Sequence, residues 1–184
     1  FNGDDLVPKI KRSCEKKKGC TVFGYSVKDP ERYGIAELDK NGSVLRIVEK
    51  PKTAKSRWAI TGLYFYDKTI VDRAKQVTPS SRGELEITDI NNMYLKELSL
   101  NMELLGRGTA WLDTGNYDSL NDASDYIKTI EHRQGLKVGC PEEIAWRHGW
   151  ITSENLEALA MPLRKSGYGD YLLQLLNYKD FVSN

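Results

Sequence analysis

Trp111-Leu112-Asp113-Thr114-Gly115 puts a carboxylate directly behind an apolar run. The C-terminal end of a strand is where open α/β sheets place their ligands. A hard cation such as Mg²⁺ takes one or two carboxylates together with substrate phosphate oxygens, so Asp113 is a candidate metal ligand. The commoner role for such an Asp is to cap the following helix, here one starting near Asn116. In Glu49-Lys50-Pro51, the proline ends strand pairing and leaves its two neighbours at a rim. There Glu49 suits sugar hydroxyls and Lys50 suits a phosphate, as a mobile point charge; the plainer alternative is an exposed ion pair. Gly34, in Arg32-Tyr33-Gly34, would let a ligand approach the backbone, while Tyr33 packs on a core edge. The strand-interior Gly62, in Ile60-Thr61-Gly62, marks either a bulge or a ligand contact. In the run Arg82 to Asp89, Arg82 is expected at a helix start, where anions are favoured, with Glu84, Glu86 and Asp89 in the first turns.

Other chemistries find little support. His132 and His148 are the two histidines, and no Ser–His–Asp or Cys–His set follows from spacing. Neither G-x-G-x-x-G nor G-x-x-x-x-G-K-[ST] occurs. Cys14, Cys20 and Cys140 are an odd count without metal-like spacing, so reduced thiols in a cytoplasmic setting are expected. Over 184 residues, 27 Lys+Arg stand against 26 Asp+Glu, a formal charge of +1, which removes the electrostatic case for binding nucleic acid or an anionic membrane. No apolar run reaches the ~18 residues a spanning helix needs. The start, Phe1-Asn2-Gly3, lacks an initiator Met, and the chain reads as cut from something longer.

The elements that would position these residues follow from pattern. A helix is predicted over 6–18, stopped by lysines and Gly19. Strands are predicted over 20–27 and 58–66, and a hairpin over 34–39 and 43–49 through a type I′ turn at Asn41-Gly42. Short helix 70–76 is followed by a helix from the serines at 80–81 through Glu97, and 98–105 alternates weakly. Helix 116–133 should bury Leu120, Ala123, Ile127 and Ile130. Three helices close the chain, at 141–148, 153–163 and 168–177, separated by Gly149, Pro162 and Gly167. The fold class is therefore α/β, a mixed sheet flanked by helices, with a C-terminal helical subdomain.

Taken in order, the motifs Asp29-Pro30-Glu31-Arg32-Tyr33-Gly34, Glu49-Lys50-Pro51, Thr61-Gly62-Leu63-Tyr64-Phe65-Tyr66, Arg82 through Asp89, Gly106-Arg107-Gly108, Trp111 through Gly115, Arg133 through Val138 and Cys140-Pro141-Glu142-Glu143-Ile144-Ala145 do more. Together they closely resemble the glucose-1-phosphate thymidylyltransferases, a branch of the sugar nucleotidylyltransferases, over nearly the whole chain. The resemblance implies a Rossmann-like fold and attack of glucose-1-phosphate on the α-phosphate of dTTP, giving dTDP-glucose and pyrophosphate, with Mg²⁺. It implies that Tyr33, Gly34, Glu49, Ile60 and Gly62 border the sugar and that Lys50 and Arg82 contact its phosphate. Asp113 would be one of two metal-binding aspartates, with Trp111 beside it. An inhibitory site for a dTDP-sugar effector would use Asn2, Gly3, Arg107, Val138, Gly139, Cys140, Glu143, Ile144 and Arg147.

The resemblance further implies a homotetramer and a role in dTDP-rhamnose and polysaccharide biosynthesis. On this reading residues 1–137 hold the sugar-phosphate part and 138–184 the regulatory and assembly part. Asn2 and Asp4 depart from the family pattern. The family's Gly-rich phosphate loop, base-reading residues and Leu-Gly-Asp-Asn motif would precede Phe1, so the sequence is expected to be an N-terminally truncated portion, inactive alone. The alternatives are a non-catalytic sugar-phosphate or dTDP-sugar binding module, a relative using UTP, CTP or ATP, and, more remotely, a glycosyltransferase of similar layout.

Overall fold

A computed structural model describes residues 1–3 and 5–177, so Asp4 and the last residues of the expected 138–184 part lie outside the described residues. The contacts divide the chain into two compact units, Phe1–Leu112 and Asp113–Asn184. Compactness thus groups the residues differently from the functional division at 137/138, which concerns ligand and effector parts rather than packing.

The first unit is built on a mixed five-stranded sheet, and the α/β expectation holds. Its strands are β1 (Cys20–Ser26), β2 (Gly34–Leu38), β3 (Val44–Glu49), β4 (Trp58–Tyr66) and β5 (Leu100–Leu104), in the order β3-β2-β4-β1-β5. Only β1 and β5 pair in parallel; the other ladders are antiparallel. On one face Val22, Ala36, Ile47 and Ile60 pack with Ile90 and Tyr94 of α3 (Ile87–Lys96). On the other, Val27, Ile35 and Ala59 gather Tyr25, Tyr33 and Trp111. Helices α1 (Leu6–Glu15) and α2 (Ile70–Ala74) complete the unit. The first ends before Lys16–Lys18, so the three lysines follow the helix rather than form its last turn.

The β2–β3 hairpin does not use the expected type I′ turn, which needs positive φ at both central residues. Gly42 alone has it, at +84°, and its N–H donates to the Asp39 carbonyl at 3.1 Å. This is a type I turn closed by a left-handed glycine, the usual three-residue hairpin loop. The Asp39 carboxylate accepts from the N–H groups of Asn41 and Ser43, both at 2.8 Å, and these bonds favour the wider loop over the two-residue one.

The expected helix from Ser80 falls as well. Residues 80–84 form a turn of their own, with Ser80 N–H on the Glu84 carbonyl and Gly83 N–H on the Ser80 carbonyl, both at 2.8 Å. Gly83 at φ +79° takes the chain out of helical geometry, and α3 starts only at Ile87. Arg82 therefore stands in a turn ahead of the helix, and of the three acids only Asp89 lies in its first turn.

The second unit is helical: α4 (Tyr117–Gln134), α5 (Pro141–Arg147), α6 (Ser153–Ala160) and α7 (Tyr168–Asn177). Cys140, Leu156, Ala160, Tyr171, Leu172 and Leu175 form its core. Pro162 does not break the chain as expected but opens a 3₁₀ turn, Met161–Ser166, that continues α6. Gly169 sits so close to that turn that a Cβ would fall 2.2 Å from the Ala160 carbonyl oxygen. The apolar stripe of α4 is present but incompletely covered, with Leu120 53% exposed and Ala123, Ile127 and Ile130 half-buried.

Candidate functional site

The sheet brings most of the expected sugar-side residues to one end. The β2–β3 ladder pairs Gly34 with Glu49, and Lys50 N–H extends it by donating to the Tyr33 carbonyl at 3.0 Å. The β2–β4 ladder stops at Ile35–Ala59, so Gly34 and Ile60 are each one residue beyond its last pair. Next to Ile60 the β1–β4 register slips: Val22 pairs with Tyr64 and Gly24 with Ile60, leaving Thr61, Gly62 and Leu63 opposite Phe23 alone. Gly62 is thus part of a bulge, and the space beside it is open, with nothing within 4 Å of where a Cβ would stand. The bulge reading of this glycine holds. The buried Thr61 hydroxyl between these residues has no hydrogen-bond partner among the described residues.

Glu49 is not an exposed ion-pair member. Its Oε2 accepts the Thr88 hydroxyl at 2.6 Å, a bond joining the end of β3 to the first turn of α3. A Cβ on Gly34 would stand 3.0 Å from that Glu49 oxygen and 3.1 Å from Thr88 Oγ1. The glycine therefore leaves the carboxylate its place. Burial raises the Tyr64 phenol above its ordinary pKa, and the nearby Glu49 charge adds to this. Thr88 is the residue sequence reasoning missed, since no spacing rule links positions 39 apart.

Lys50 has φ +40°, one of two non-glycine residues with positive φ among those described. Such a conformation costs about 1–3 kcal/mol and is concentrated at functional sites. Side chains in a regular strand alternate faces; the left-handed turn at Lys50 breaks that alternation right after Glu49. Arg82 pairs with Glu84 and, at 3.2 Å, with Glu86. Desolvation opposes its charge, yet the Glu84 hydrogen bond and the fields of Glu84, Glu86 and Glu49 raise its pKa above the ordinary guanidinium value. On the opposite face of the sheet, Tyr33 and Trp111 have ring centroids 5.1 Å apart, and the Arg32 guanidinium lies 5.3 Å from the Tyr33 ring. The core-edge reading of Tyr33 is therefore correct.

Asp113 opens the second unit. The run before it is no strand: Ala110 makes a single bridge with Asn2. Nor does Asp113 cap α4, because Asn116 does so, its side chain accepting Ser119 N–H at 2.8 Å. The Asp113 carboxylate takes a long local bond, 3.4 Å, from Gly115 N–H. Among the described residues no three His, Cys, Asp or Glu side chains gather as a metal cage. Outside any such cluster, the single Asp113 carboxylate fits a Mg²⁺-like ion that takes its other ligands from water and phosphate, and does not fit a closed protein site.

The expected effector residues fall in two groups. In the first unit, the Asn2–Ala110 bridge and the Asp5 carboxylate, which accepts from Thr109 Oγ1 and from Gly106 N–H at 3.3 Å, fasten Gly3 to the turn carrying the exposed Arg107. Hydrogen bonds from Lys9 and Thr109 lead the influences that lower the Asp5 pKa to about 2. In the second unit, Glu143 is buried, pairing with Arg147 Nε at 2.7 Å and accepting from the Tyr171 hydroxyl. That hydroxyl in turn accepts Lys137 N–H at 3.0 Å, and Val138 N–H donates to Glu131 at 3.0 Å. Cys140 stands just ahead of α5 as its N-cap, its thiol 3.0 Å from the Tyr168 hydroxyl; Gly139 precedes it and Ile144 is 45% exposed.

The family model described as nucleotidyl transferase matches residues 1–130, and the chain belongs to that family. Members of this family generally use a divalent metal. Over 176 residues the chain is 51% identical to a glucose-1-phosphate thymidylyltransferase of Neisseria gonorrhoeae, covering 96% of this chain and 61% of the relative. It is 54% identical over 175 residues to the enzyme of that name from Xanthomonas campestris pv. campestris, covering 95% and 59%. The chain thus spans about three-fifths of the length of the curated relatives it matches. A crystal structure from Bacillus anthracis, described as a glucose-1-phosphate thymidylyltransferase in complex with a sucrose, superposes with a TM-score of 0.59 at 41% identity. It covers 67% of this chain and 49% of that one. No helix among the described residues is long and apolar enough to cross a membrane.

Proposed function

We propose that the protein transfers a thymidylyl group from dTTP to glucose-1-phosphate, releasing pyrophosphate and forming dTDP-glucose. The observation that carries this reading is the Gly34–Glu49–Thr88 cluster beside the kinked Lys50, a sugar-hydroxyl acceptor next to a phosphate-seeking cation. The named relatives supply the nucleotide.

On this reading Glu49, oriented by Thr88, accepts hydrogen bonds from the glucose ring, with Gly34, Ile60 and Gly62 lining it. Lys50 and Arg82 hold the sugar phosphate, countering the repulsion between two anions as its oxygen attacks the α-phosphate in line. Tyr33 and Trp111 brace the opposite face of the sheet. Asp113 would hold Mg²⁺, which when bound orients and polarises the α-phosphate. Asn2, Gly3, Arg107, Val138, Gly139, Cys140, Glu143, Ile144 and Arg147 are assigned to inhibition by a dTDP-sugar. The protein works in the cytoplasm as a homotetramer, supplying dTDP-rhamnose and polysaccharide synthesis.

The test is pyrophosphate release by the full-length protein given dTTP, glucose-1-phosphate and Mg²⁺, with UTP, CTP and ATP run in parallel. Release that depends on both substrates and is fastest with dTTP supports the proposal. Absence of release, or faster release with another nucleotide, refutes it.

A further inference from the structure

Arg82 as it stands is a poor receptor for a phosphate. Two carboxylates, Glu84 and Glu86, already pair with it, and Glu49 adds a third negative charge nearby. A dianion approaching this guanidinium meets more negative charge than positive.

The two partners are held differently. Glu86 is fixed: its side chain is only 11% exposed and its Oε1 accepts the Ser80 hydroxyl at 2.8 Å. Glu84 has a side chain 63% exposed, and the turn carrying it closes through backbone bonds from Ser80 and Gly83 and through Arg82 N–H on Ser80 Oγ at 3.2 Å. None of these turn bonds uses the Glu84 carboxylate, which can swing into solvent without opening the turn.

We infer that Glu84 is an electrostatic latch, a positioning residue that holds Arg82 while the site lacks an anion and yields it to the sugar phosphate on binding. The inference rests on the reading of Arg82 as a phosphate contact. It adds a competition at that residue: every binding event exchanges an internal carboxylate for an external phosphate. The exchange costs affinity and keeps Arg82 in one place between turnovers. Because the pair is exposed, releasing it is a small effect.

The experiment compares Glu84→Gln, Glu84→Asp and Arg82→Ala in the full-length protein, varying glucose-1-phosphate at saturating dTTP and Mg²⁺. The latch predicts that Glu84→Gln lowers the KM for glucose-1-phosphate about two- to fivefold, the range expected for an exposed pair. Its kcat and its KM for dTTP stay unchanged, and Glu84→Asp, which keeps the charge, stays near the parent. A general structural role would move kcat or both KM values. If Arg82→Ala raises the glucose-1-phosphate KM while Glu84→Gln leaves it unchanged or raises it, Glu84 is no latch, and the phosphate reading of Arg82 survives. If Arg82→Ala leaves that KM unchanged, the phosphate reading fails and the latch fails with it.

Discussion

Replacing Gly34 by alanine separates the demands of folding from those of the site. The backbone poses no obstacle, since Gly34 begins a strand and its φ is not left-handed. Losing the freedom of glycine in the unfolded chain should even stabilise by about 0.4–1 kcal/mol. The added methyl, however, would stand 3.0 Å from Glu49 Oε2 and 3.1 Å from Thr88 Oγ1, a few tenths of an ångström inside comfortable contact. Thr88 is fixed in its helix, so the half-exposed Glu49 carboxylate gives way and its 2.6 Å bond to Thr88 lengthens. A hydrogen bond to a charged group contributes about 1.5–3 kcal/mol, and stretching it forfeits on the order of half, about 1 kcal/mol. Gain and loss nearly cancel, so the melting temperature should stay within about 4 °C of the parent. The sugar meets both the displaced carboxylate and a methyl group at its edge, and the KM for glucose-1-phosphate should rise about tenfold, or ~1.4 kcal/mol. Thermal unfolding and pyrophosphate-release kinetics on one preparation measure both. A variant with the parent's KM would refute the cleared-carboxylate argument, and a melting temperature lower by 10 °C or so would show that the backbone, not the clash, was at stake.

Three further outcomes are expected. Asp113→Ala should abolish turnover at every Mg²⁺ concentration, and a variant with normal Mg²⁺ dependence would remove the metal assignment. The Asp67 carboxylate accepts from the Thr69 hydroxyl, Gly19 N–H and the Tyr94 hydroxyl, and the Thr69 bond leads the influences that hold its pKa below the ordinary 3.8. A lowered pKa contributes stability above the ordinary value that is lost as pH falls through the folded one. Asp67→Asn should therefore lower the urea midpoint at pH 7, with the deficit shrinking below about pH 4; a pH-independent deficit would mean the charge is irrelevant. Leu172→Ala, at a fully buried site in the helical core, should cost about 2–5 kcal/mol in urea unfolding followed by circular dichroism, and a cost below 1 kcal/mol would show that the site collapses freely.

The strands and most helices were legible because their signals are local. Asn116 and Gly135 bracket α4 as a cap and a left-handed stop should, and Thr152 with Asn155 forms a capping box at α6. Errors of element arose where a turn bond between near neighbours competed with the expected structure. Asp39 chose the hairpin loop, and the Ser80–Glu84 turn took residues that propensity alone would assign to a helix. The site followed the same rule. Glu49, Lys50 and Gly34 could be placed at a rim from Pro51 and the hairpin, because the ladder enforces it. That Thr88 would hold Glu49 depends on how α3 packs on the sheet, and no periodicity encodes that; that Arg82 would already be engaged by two acids follows from the Ser80–Glu84 turn, which propensity alone does not show.

The parallel pairing of β1 with β5 has a bearing on how the first unit comes to be. Antiparallel β4 joins β1 from Tyr66 to Cys20, but the opposite edge of β1 must wait for Leu100, 80 positions beyond Cys20. A strand emerging early and completed late leaves a row of unpaired amides along Cys20–Gly24, beside Val22 and Phe23, the sort of surface that captures another copy. Closing so distant a contact is slow relative to the local hairpin. Refolding should therefore proceed in at least two stages, hairpin first and β5 last, with losses to aggregation that grow with protein concentration during the interval between them.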